Sequence, residues 1–181
     1  MTFPVVTMPM ESELVTRPLT LDDAPAAVEL FNVLNQMYVG HSTDNIADLR
    51  RDWTAPGFDL ERSALGVFAG QRMIGYVQVS DTSSLPVRPE VWFRVHPDYF
   101  GGELGRDLLA WGEARARQVF DRLPADAQVV LQADVYSTDA YSRRTLQAAG
   151  FAMTDYGWLR MVIEFDDPPP LPQWPAGYTL T

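Results

Sequence analysis

The residues with the clearest chemical potential lie in a glycine-containing stretch between a strand and a long helix. Residues 91–95 have the apolar character of a buried strand, and a loop with three glycines over 100–105 leads into a periodic apolar helix from Leu104. The first amides of a helix have no partners within it, and the helix dipole adds about half a positive charge there. Glycine lets the loop backbone approach a bound anion closely. The stretch therefore predicts an anion site that is built from main-chain amides.

Other kinds of chemistry are excluded because the residues that perform them are absent. The sequence has no Cys, which excludes thiolate catalysis, disulfides and cysteine-bound zinc. All 14 basic residues are Arg, which excludes a P-loop lysine, a Schiff-base lysine and a lysine general base. The two histidines, His41 and His96, cannot form a multi-histidine metal site. We expect no metal, and the glycine loop fits neither G-x-G-x-x-G nor a P-loop.

The charge balance excludes nucleic acid as a general partner. The chain has 24 acidic and 14 basic residues and a net charge of −10, whereas duplex affinity depends on basic side chains. A content of 46% hydrophobic and 21% charged residues is typical of a globular protein. Because the sequence has neither a signal-peptide pattern nor an apolar run of about 18 residues, we expect a cytoplasmic protein without a membrane partner.

The apolar periodicity predicts one α/β domain over residues 13–165, between a leader (1–12) and a proline-rich linker with a terminal strand (166–181). The tail either pairs with a sheet edge of the same or a neighbouring molecule or begins a second domain. The predicted strands are 13–19, 64–69, 73–79, 91–95, 129–135, 151–154 and 158–165, and the predicted helices are 20–35, 43–53, 104–122 and 138–149.

Two segments resemble those of the GNAT-type N-acetyltransferases. Val95-His96-Pro97 and the loop up to Gly105 resemble the pyrophosphate loop of that family, in which a V-H-P-like tripeptide precedes Arg/Gln-x-x-Gly-x-Gly/Ala. Residues 139–151 (DAYSRRTLQAAGF) resemble its N-x-x-A…Y-x-x-x-G-F segment. The resemblance covers residues 13–165 in the same order of elements. It implies the GNAT fold, an α+β fold with a mixed, mostly antiparallel sheet that is flanked by helices and splayed between its fourth and fifth strands.

The resemblance also implies an enzyme that moves an acetyl group from acetyl-CoA to an amine. The pantetheine chain would run beside residues 93–95, and the diphosphate would lie on the loop amides. An amide near Val95 would hold the oxyanion, and a tyrosine of the last helix would protonate the thiolate. The implied cofactor-binding residues are Phe93, Val95, Phe100, Gly101, Gly102, Glu103, Leu104, Gly105 and Arg106.

Three positions depart from the family pattern. Phe100 stands at the Arg/Gln position, Glu103 replaces the first small residue, and Leu146 replaces the tyrosine. The negative charge of Glu103 would repel a bound phosphate by about 2–4 kcal/mol per phosphate charge at an effective dielectric of about 20. The helix N-terminus attracts an anion by only about 0.3–2 kcal/mol. We therefore expect weakened CoA binding unless Glu103 turns into solvent, where it would compensate the dipole of its own helix.

Substitutes for the missing groups can be named from the same framework. Tyr136 is a candidate general acid and Glu90 a candidate general base, although a half-buried strand aromatic and a solvated residue before a strand are the simpler interpretations. Tyr38 and His41 belong to the region that borders the acceptor cleft in this fold. Tyr141 lies about 140° around the helix from Leu146, so we expect it to face elsewhere.

Two functions remain open at this point. The first is acetyl transfer to a small-molecule amine, for which the net charge of −10 favours a basic acceptor. The alternative is a catalytically weak or silent GNAT module of a tandem-domain protein, which Phe100, Glu103, Leu146 and the proline linker favour. A homodimer or a second GNAT domain in the same chain are the expected protein partners.

Overall fold

The computed structural model describes residues 13–159, 165–171, 173 and 177. The chain divides into two compact units, residues 1–151 and 152–181, and every described helix and strand belongs to the first. The predicted leader lies outside the described residues, as does most of the predicted terminal strand. No helix in the described part is long and apolar enough to cross a bilayer.

A four-stranded antiparallel sheet forms the centre of the first unit, with its strands in sequential order. The strands are β1 (Leu14–Pro18), β2 (Ala64–Ala69), β3 (Arg72–Ser80) and β4 (Glu90–Val95). β2 and β3 form the predicted hairpin, which turns at Gly70 with a φ of +63°, a conformation that glycine adopts without strain. The alternating apolar pattern therefore predicted these four strands to within one or two residues.

The described residues form five α-helices around the sheet: α1 (Ala24–Val39), α2 (Ile46–Trp53), α3 (Leu60–Ser63), α4 (Leu104–Ala116) and α5 (Ala140–Ala148). α1 runs further than predicted because its left-handed C-cap is Gly40, with a φ of +83°. α4 is shorter than predicted, since residues 117–122 continue as a 3₁₀ helix. The short α3 was not predicted. The sequence allows Thr138 or Asp139 as the cap of α5, and the structure has Asp139, whose carboxylate accepts the Ser142 amide.

The sheet separates two apolar layers, and β4 contributes to both of them. Val91, Phe93 and Val95 are buried in the layer that faces α4. Because strand side chains alternate between faces, Trp92 and Arg94 lie on the opposite face, where the Trp92 ring contacts Phe31 of α1. The side chains of β4 therefore reach both sides of the sheet near its end.

Residues 129–135, predicted as a strand, pair with β4 over only part of their length. The Gln132 amide donates to Pro89 O at 3.0 Å, the Val91 amide donates to Gln132 O at 2.8 Å, and Glu90 and Gln132 form a single parallel bridge. Within the described residues, no main-chain hydrogen bond joins the two segments beyond Val91. The strand prediction is therefore wrong in extent, because the second half of the segment leaves β4 and opens the predicted splay.

The predicted closing hairpin is wrong where the structure describes it. Residues 151–159 form neither helix nor strand, and residues 160–164 lie outside the described part. Phe151, Tyr156 and Trp158 suit a strand by type, but a short strand is stable only when it pairs, and no described segment pairs with this one. In the second unit, the rings of Tyr156 and Trp158 pack edge to face with centroids 5.4 Å apart.

Candidate functional site

The end of β4 presents main-chain groups that no neighbouring strand uses. The His96 amide donates to Ile74 O of β3 at 2.8 Å. Amides alternate in direction along an antiparallel strand, so those of Phe93 and Val95 point away from β3 into the splay. The Val91 amide points the same way and finds Gln132. The Phe93 and Val95 amides have no hydrogen-bond partner in the described part of the chain.

The turn from β4 to α4 adds further main-chain donors. We call residues 96–106 the helix-tip loop. Three of its amides donate to carbonyls within the turn itself, those of Tyr99, Phe100 and Gly102. Four others have no partner among the described residues, those of Gly101, Glu103, Leu104 and Arg106. The open amides cluster at the N-terminus of α4, where the helix dipole favours an anion.

An aromatic pair fills one side of the helix-tip loop. The Phe100 ring stacks on the Tyr141 ring with centroids 4.1 Å apart, and the Tyr141 hydroxyl lies against the main chain of Gly105. Burial raises the pKa of Tyr141. The sequence analysis did not predict this contact, in which the first turn of α5 faces the Phe100 ring. This contact occupies space beside one of the loop amides.

The charged side chains of the helix-tip loop are exposed. Glu103 is 70% exposed and pairs with Arg106, with 2.6 Å between Oε2 and Nη2. Glu103 thus adopts the solvent-facing position that the sequence left open. A shallow cavity of about 460 Å³ adjoins the loop and is lined by Leu14, Asp98, Tyr99, Gly101, Gly102, Glu103, Leu104 and Asp107. Three of these residues are acidic, so the main chain supplies the attraction for an anion there.

On the opposite face of β4, polar side chains meet in one place, and we call them the acceptor-side cluster (Arg94, Tyr38, Tyr136, Asn35 and Asp139). The Tyr38 hydroxyl donates to Asp139 Oδ1 at 2.9 Å, and the Tyr136 hydroxyl donates to Asn35 Oδ1 at 3.3 Å. The two tyrosine rings have centroids 6.0 Å apart. Burial and the hydrogen bond to Asp139 raise the pKa of Tyr38.

Arg94 is the charged centre of the acceptor-side cluster. Its Nη1 donates to Phe93 O at 2.9 Å, and its guanidinium lies 3.8 Å from the centroid of the Trp92 ring and 5.9 Å from that of Tyr136. Burial lowers the pKa of Arg94 to about 10, so it stays charged at neutral pH. The sequence analysis did not select Arg94, although a lone charge within the apolar run VWFRV was a visible signal.

Comparison with solved structures identifies the fold. No family model matches the sequence, and the search of curated proteins gives no match. A GCN5-related N-acetyltransferase from Sphaerobacter thermophilus is similar with a TM-score of 0.71 and 28% identity, over 94% of this chain and 52% of that protein. The chain has the GNAT fold. It spans about half the length of the Sphaerobacter protein.

Two further structures share the GNAT fold. A putative acetyltransferase, yncA from Salmonella typhimurium, was solved with its cofactor acetyl-CoA and is similar with a TM-score of 0.59 and 24% identity, over 78% of this chain and 80% of that one. An aminoglycoside acetyltransferase from an uncultured soil metagenomic sample was solved with sisomicin and has a TM-score of 0.55 and 13% identity, over 83% and 97% of the two chains. The fold class expected from the sequence is confirmed.

The GNAT fold brings some of the predicted site residues together. Phe93 and Val95 adjoin the splay, residues 100–106 belong to the helix-tip loop, and Tyr38 and Tyr136 belong to the acceptor-side cluster. The Phe100 amide donates to a carbonyl within the turn, and the Phe100 ring stacks on Tyr141. Phe100 therefore has neither its amide nor its side chain available for a ligand. Asn35 and Asp139 complete the cluster, and the sequence analysis gave them no role in a site.

The remaining candidates lie apart from this arrangement. Glu90 is exposed at the other end of β4, five residues or about 17 Å from Val95. Partial burial and the charge of Asp134 raise the pKa of Glu90. His41 is exposed, and its Nδ1 lies 3.1 Å from Val39 O. In the described part of the chain, no three metal-ligating side chains cluster together.

Proposed function

We propose that this chain is a GNAT-type N-acetyltransferase that moves the acetyl group of acetyl-CoA to an amine. The observation that carries the proposal is the pair of open amides, on Phe93 and Val95, that point into the splay next to a helix-tip loop with open amides of its own. An extended amide-containing chain fits beside such a strand end, and a diphosphate fits at such a helix N-terminus. Both groups occur in acetyl-CoA.

In this mechanism, the amine nitrogen attacks the thioester carbonyl carbon, and the carbon–sulfur bond then breaks. The Val95 amide donates to the carbonyl oxygen as it gains negative charge. The leaving thiolate takes a proton from the Tyr136 hydroxyl, and the amine loses its proton to water. We choose Tyr136 over Tyr38, because the Tyr38 hydroxyl donates to a carboxylate at 2.9 Å and burial and that hydrogen bond raise its pKa, whereas the Tyr136 hydroxyl donates to the neutral amide oxygen of Asn35 at 3.3 Å.

A small-molecule amine is the proposed acceptor. Asp44 bonds Asn35 and Asp139 bonds Tyr38, so two carboxylates adjoin the cluster and outnumber the one guanidinium of Arg94, which favours an ammonium group. The sisomicin complex of the soil aminoglycoside acetyltransferase supports the same class of acceptor, since that protein binds a polyamine sugar with this fold.

A second candidate function is a catalytically weak or silent GNAT module. Leu146 is 6% exposed within the apolar layer, so the usual proton donor is replaced by a core residue. Phe100 and Tyr141 stack where the family pattern has a basic or polar side chain, and the Tyr141 hydroxyl lies against Gly105. These contacts weaken the helix-tip loop as an anion site without removing its open amides.

Thermal unfolding with acetyl-CoA tests the proposal. A ligand at about 100 times its Kd stabilises the native state by about 2.7 kcal/mol, which raises the Tm of a domain of this size by about 5–10 °C. We expect a rise of that order at about 1 mM acetyl-CoA and a smaller one with ADP, which lacks pantetheine. Release of the CoA thiol in the presence of amines then reports transfer. An unchanged Tm contradicts the proposal, and a raised Tm without thiol release from any amine favours the silent module.

A further inference from the structure

Arg94 is a buried cation without a carboxylate at ion-pair distance. Its side chain belongs to a residue that is only 7% exposed. Several other arginines form ion pairs within 4.0 Å. Arg94 forms no such pair within the described chain, and its one hydrogen bond there goes to Phe93 O. A buried charge of this kind is costly unless another group compensates it.

The nearest acidic residues compensate Arg94 only through their field. Asp139 Oδ1 already accepts the Tyr38 hydroxyl and the Ser142 amide, and Asp44 Oδ2 accepts Asn35 Nδ2 at 2.5 Å. Both carboxylates raise the pKa of Arg94, yet burial outweighs them. The guanidinium therefore rests on the Trp92 ring and a carbonyl, and no carboxylate of the described chain binds it directly.

Two donors of Arg94 have no partner in the described chain and keep some contact with solvent. No buried side-chain nitrogen or oxygen in the described residues lacks a hydrogen-bond partner. Since Nε and Nη2 of Arg94 make no hydrogen bond within that part of the chain, both atoms must touch solvent. These two atoms form one edge of the guanidinium, the edge that binds a carboxylate with two parallel hydrogen bonds.

The position of this edge relates it to the acetyl-transfer site. Arg94 directly precedes Val95, whose amide points into the splay, and its Nη1 bonds the carbonyl of Phe93 on the same side of the strand. The guanidinium thus lies between the splay and the ring of Tyr136, the proposed proton donor. An anion on Arg94 belongs to a molecule that approaches the transfer site from the acceptor side.

We propose that Arg94 binds a carboxylate of the acceptor, so that the acceptor is an amino acid or another small amine with a carboxylate close to its nitrogen. This inference rests on the proposed function and specifies its substrate class. A monoanion matches the single guanidinium, whereas the neighbouring carboxylates of Asp44 and Asp139 repel a phosphate dianion. The same two carboxylates favour the ammonium end of a zwitterion. An acidic chain can therefore attract the amine of the acceptor while Arg94 binds its carboxylate.

Matched acceptor pairs test the inference. Thiol release from acetyl-CoA is measured with phenylalanine, leucine and β-alanine, each beside its amide, and with phosphoethanolamine. We expect kcat/KM of the wild-type protein to be at least about tenfold higher for at least one acid than for its amide. Arg94→Gln should reduce that preference to about onefold, and Arg94→Lys should keep part of it because the charge remains while the planar fork is lost. Arg117→Gln is the matched control, since Arg117 is exposed and pairs with Glu113.

Each outcome decides one of the two proposals. A Tm that acetyl-CoA does not change, together with no thiol release from any amine, contradicts the proposed function itself. If acetyl-CoA binds but kcat/KM for the amides equals or exceeds that for the acids, the proposed role of Arg94 is overturned. A preference for phosphoethanolamine over every carboxylate acceptor also overturns it. If Arg94→Gln fails to fold, the acid-to-amide ratio of the wild-type protein and of Arg94→Lys still decides. A preference for the acid that survives in a folded Arg94→Gln also overturns it.

Discussion

The two sides of the end of β4 are built in opposite ways. In the acceptor-side cluster, side chains are largely buried and hydrogen-bonded to one another, as Tyr38 and Asp139 are. In the helix-tip loop, the charged side chains are exposed, and the groups that suit a ligand are main-chain amides. The difference indicates that the cluster depends on residue identity, whereas the loop keeps its donors even with Phe100 and Glu103 in place. Substitutions in the cluster should therefore lower catalysis, whereas substitutions of Phe100 and Glu103 in the loop should strengthen acetyl-CoA binding.

The largest effect is expected in the acceptor-side cluster, at Tyr136. Tyr136→Phe removes the proposed proton donor while retaining the ring that lies against Tyr38. We expect kcat to fall by about 100-fold, within the usual range for the loss of a general acid. Steady-state kinetics of thiol release measures this loss.

Tyr38→Phe is the matched comparison for Tyr136→Phe. It removes a neighbouring hydroxyl whose proton is held by Asp139, so its effect should appear as a raised KM for the amine rather than as a comparable loss of kcat. Equal kcat values for Tyr136→Phe and the wild-type protein would contradict the assignment of the acid. The Tm of both variants shows whether the cluster still folds.

A smaller effect of opposite sign is expected in the helix-tip loop. Phe100→Arg combined with Glu103→Gly adds a positive charge and removes a negative one, which should tighten acetyl-CoA binding by at least about tenfold. Calorimetric titration gives the Kd. Glu61→Gly serves as a charge control, because Glu61 is exposed on α3, outside the loop. An unchanged Kd in the double variant would show that the charge of the loop does not limit binding.

The smallest effect concerns the aromatic pair beside the helix-tip loop. Tyr141→Phe keeps the stack on Phe100 but removes the hydroxyl that lies against Gly105. Freeing the space beside that main-chain group should tighten acetyl-CoA binding by about threefold, the value of one weak hydrogen bond. Tyr99→Phe removes a hydroxyl from the same loop without touching Gly105 and should not tighten binding. Weaker binding by Tyr141→Phe would instead make that hydroxyl part of the ligand site.

Local pattern was enough to predict most of the fold. β2, β3 and β4 have apolar side chains toward buried faces and clear turns between them, so their limits follow from the sequence. Asp139 was predictable as a cap because a short acidic side chain at a helix start accepts an amide. The resemblance to GNAT proteins likewise rests on continuous segments, among them Val95-His96-Pro97 with its loop.

The features that escaped prediction depend on contacts between distant segments. Residues 129–135 look like a continuous strand, yet where they leave β4 depends on their position in the sheet. The stacking of Tyr141 on Phe100 joins residues about forty positions apart, so the pattern within α5 does not predict it. Arg94 appears solvent-facing by residue type, whereas burial against Trp92 makes it a buried cation. The position of a residue on its helix and its residue type alone do not predict such contacts.

The central claim is that the main chain at the end of β4 binds acetyl-CoA, and amide NMR tests it most directly. In a titration followed by ¹H–¹⁵N spectra, the amides of Phe93 and Val95 should shift strongly, together with those of Leu104 and Arg106 at the helix tip. The amides of Trp92 and Arg94, which face β3, provide the control within the same strand and should shift less. Saturation with acetyl-CoA that leaves the Phe93 and Val95 amides unshifted would contradict the account.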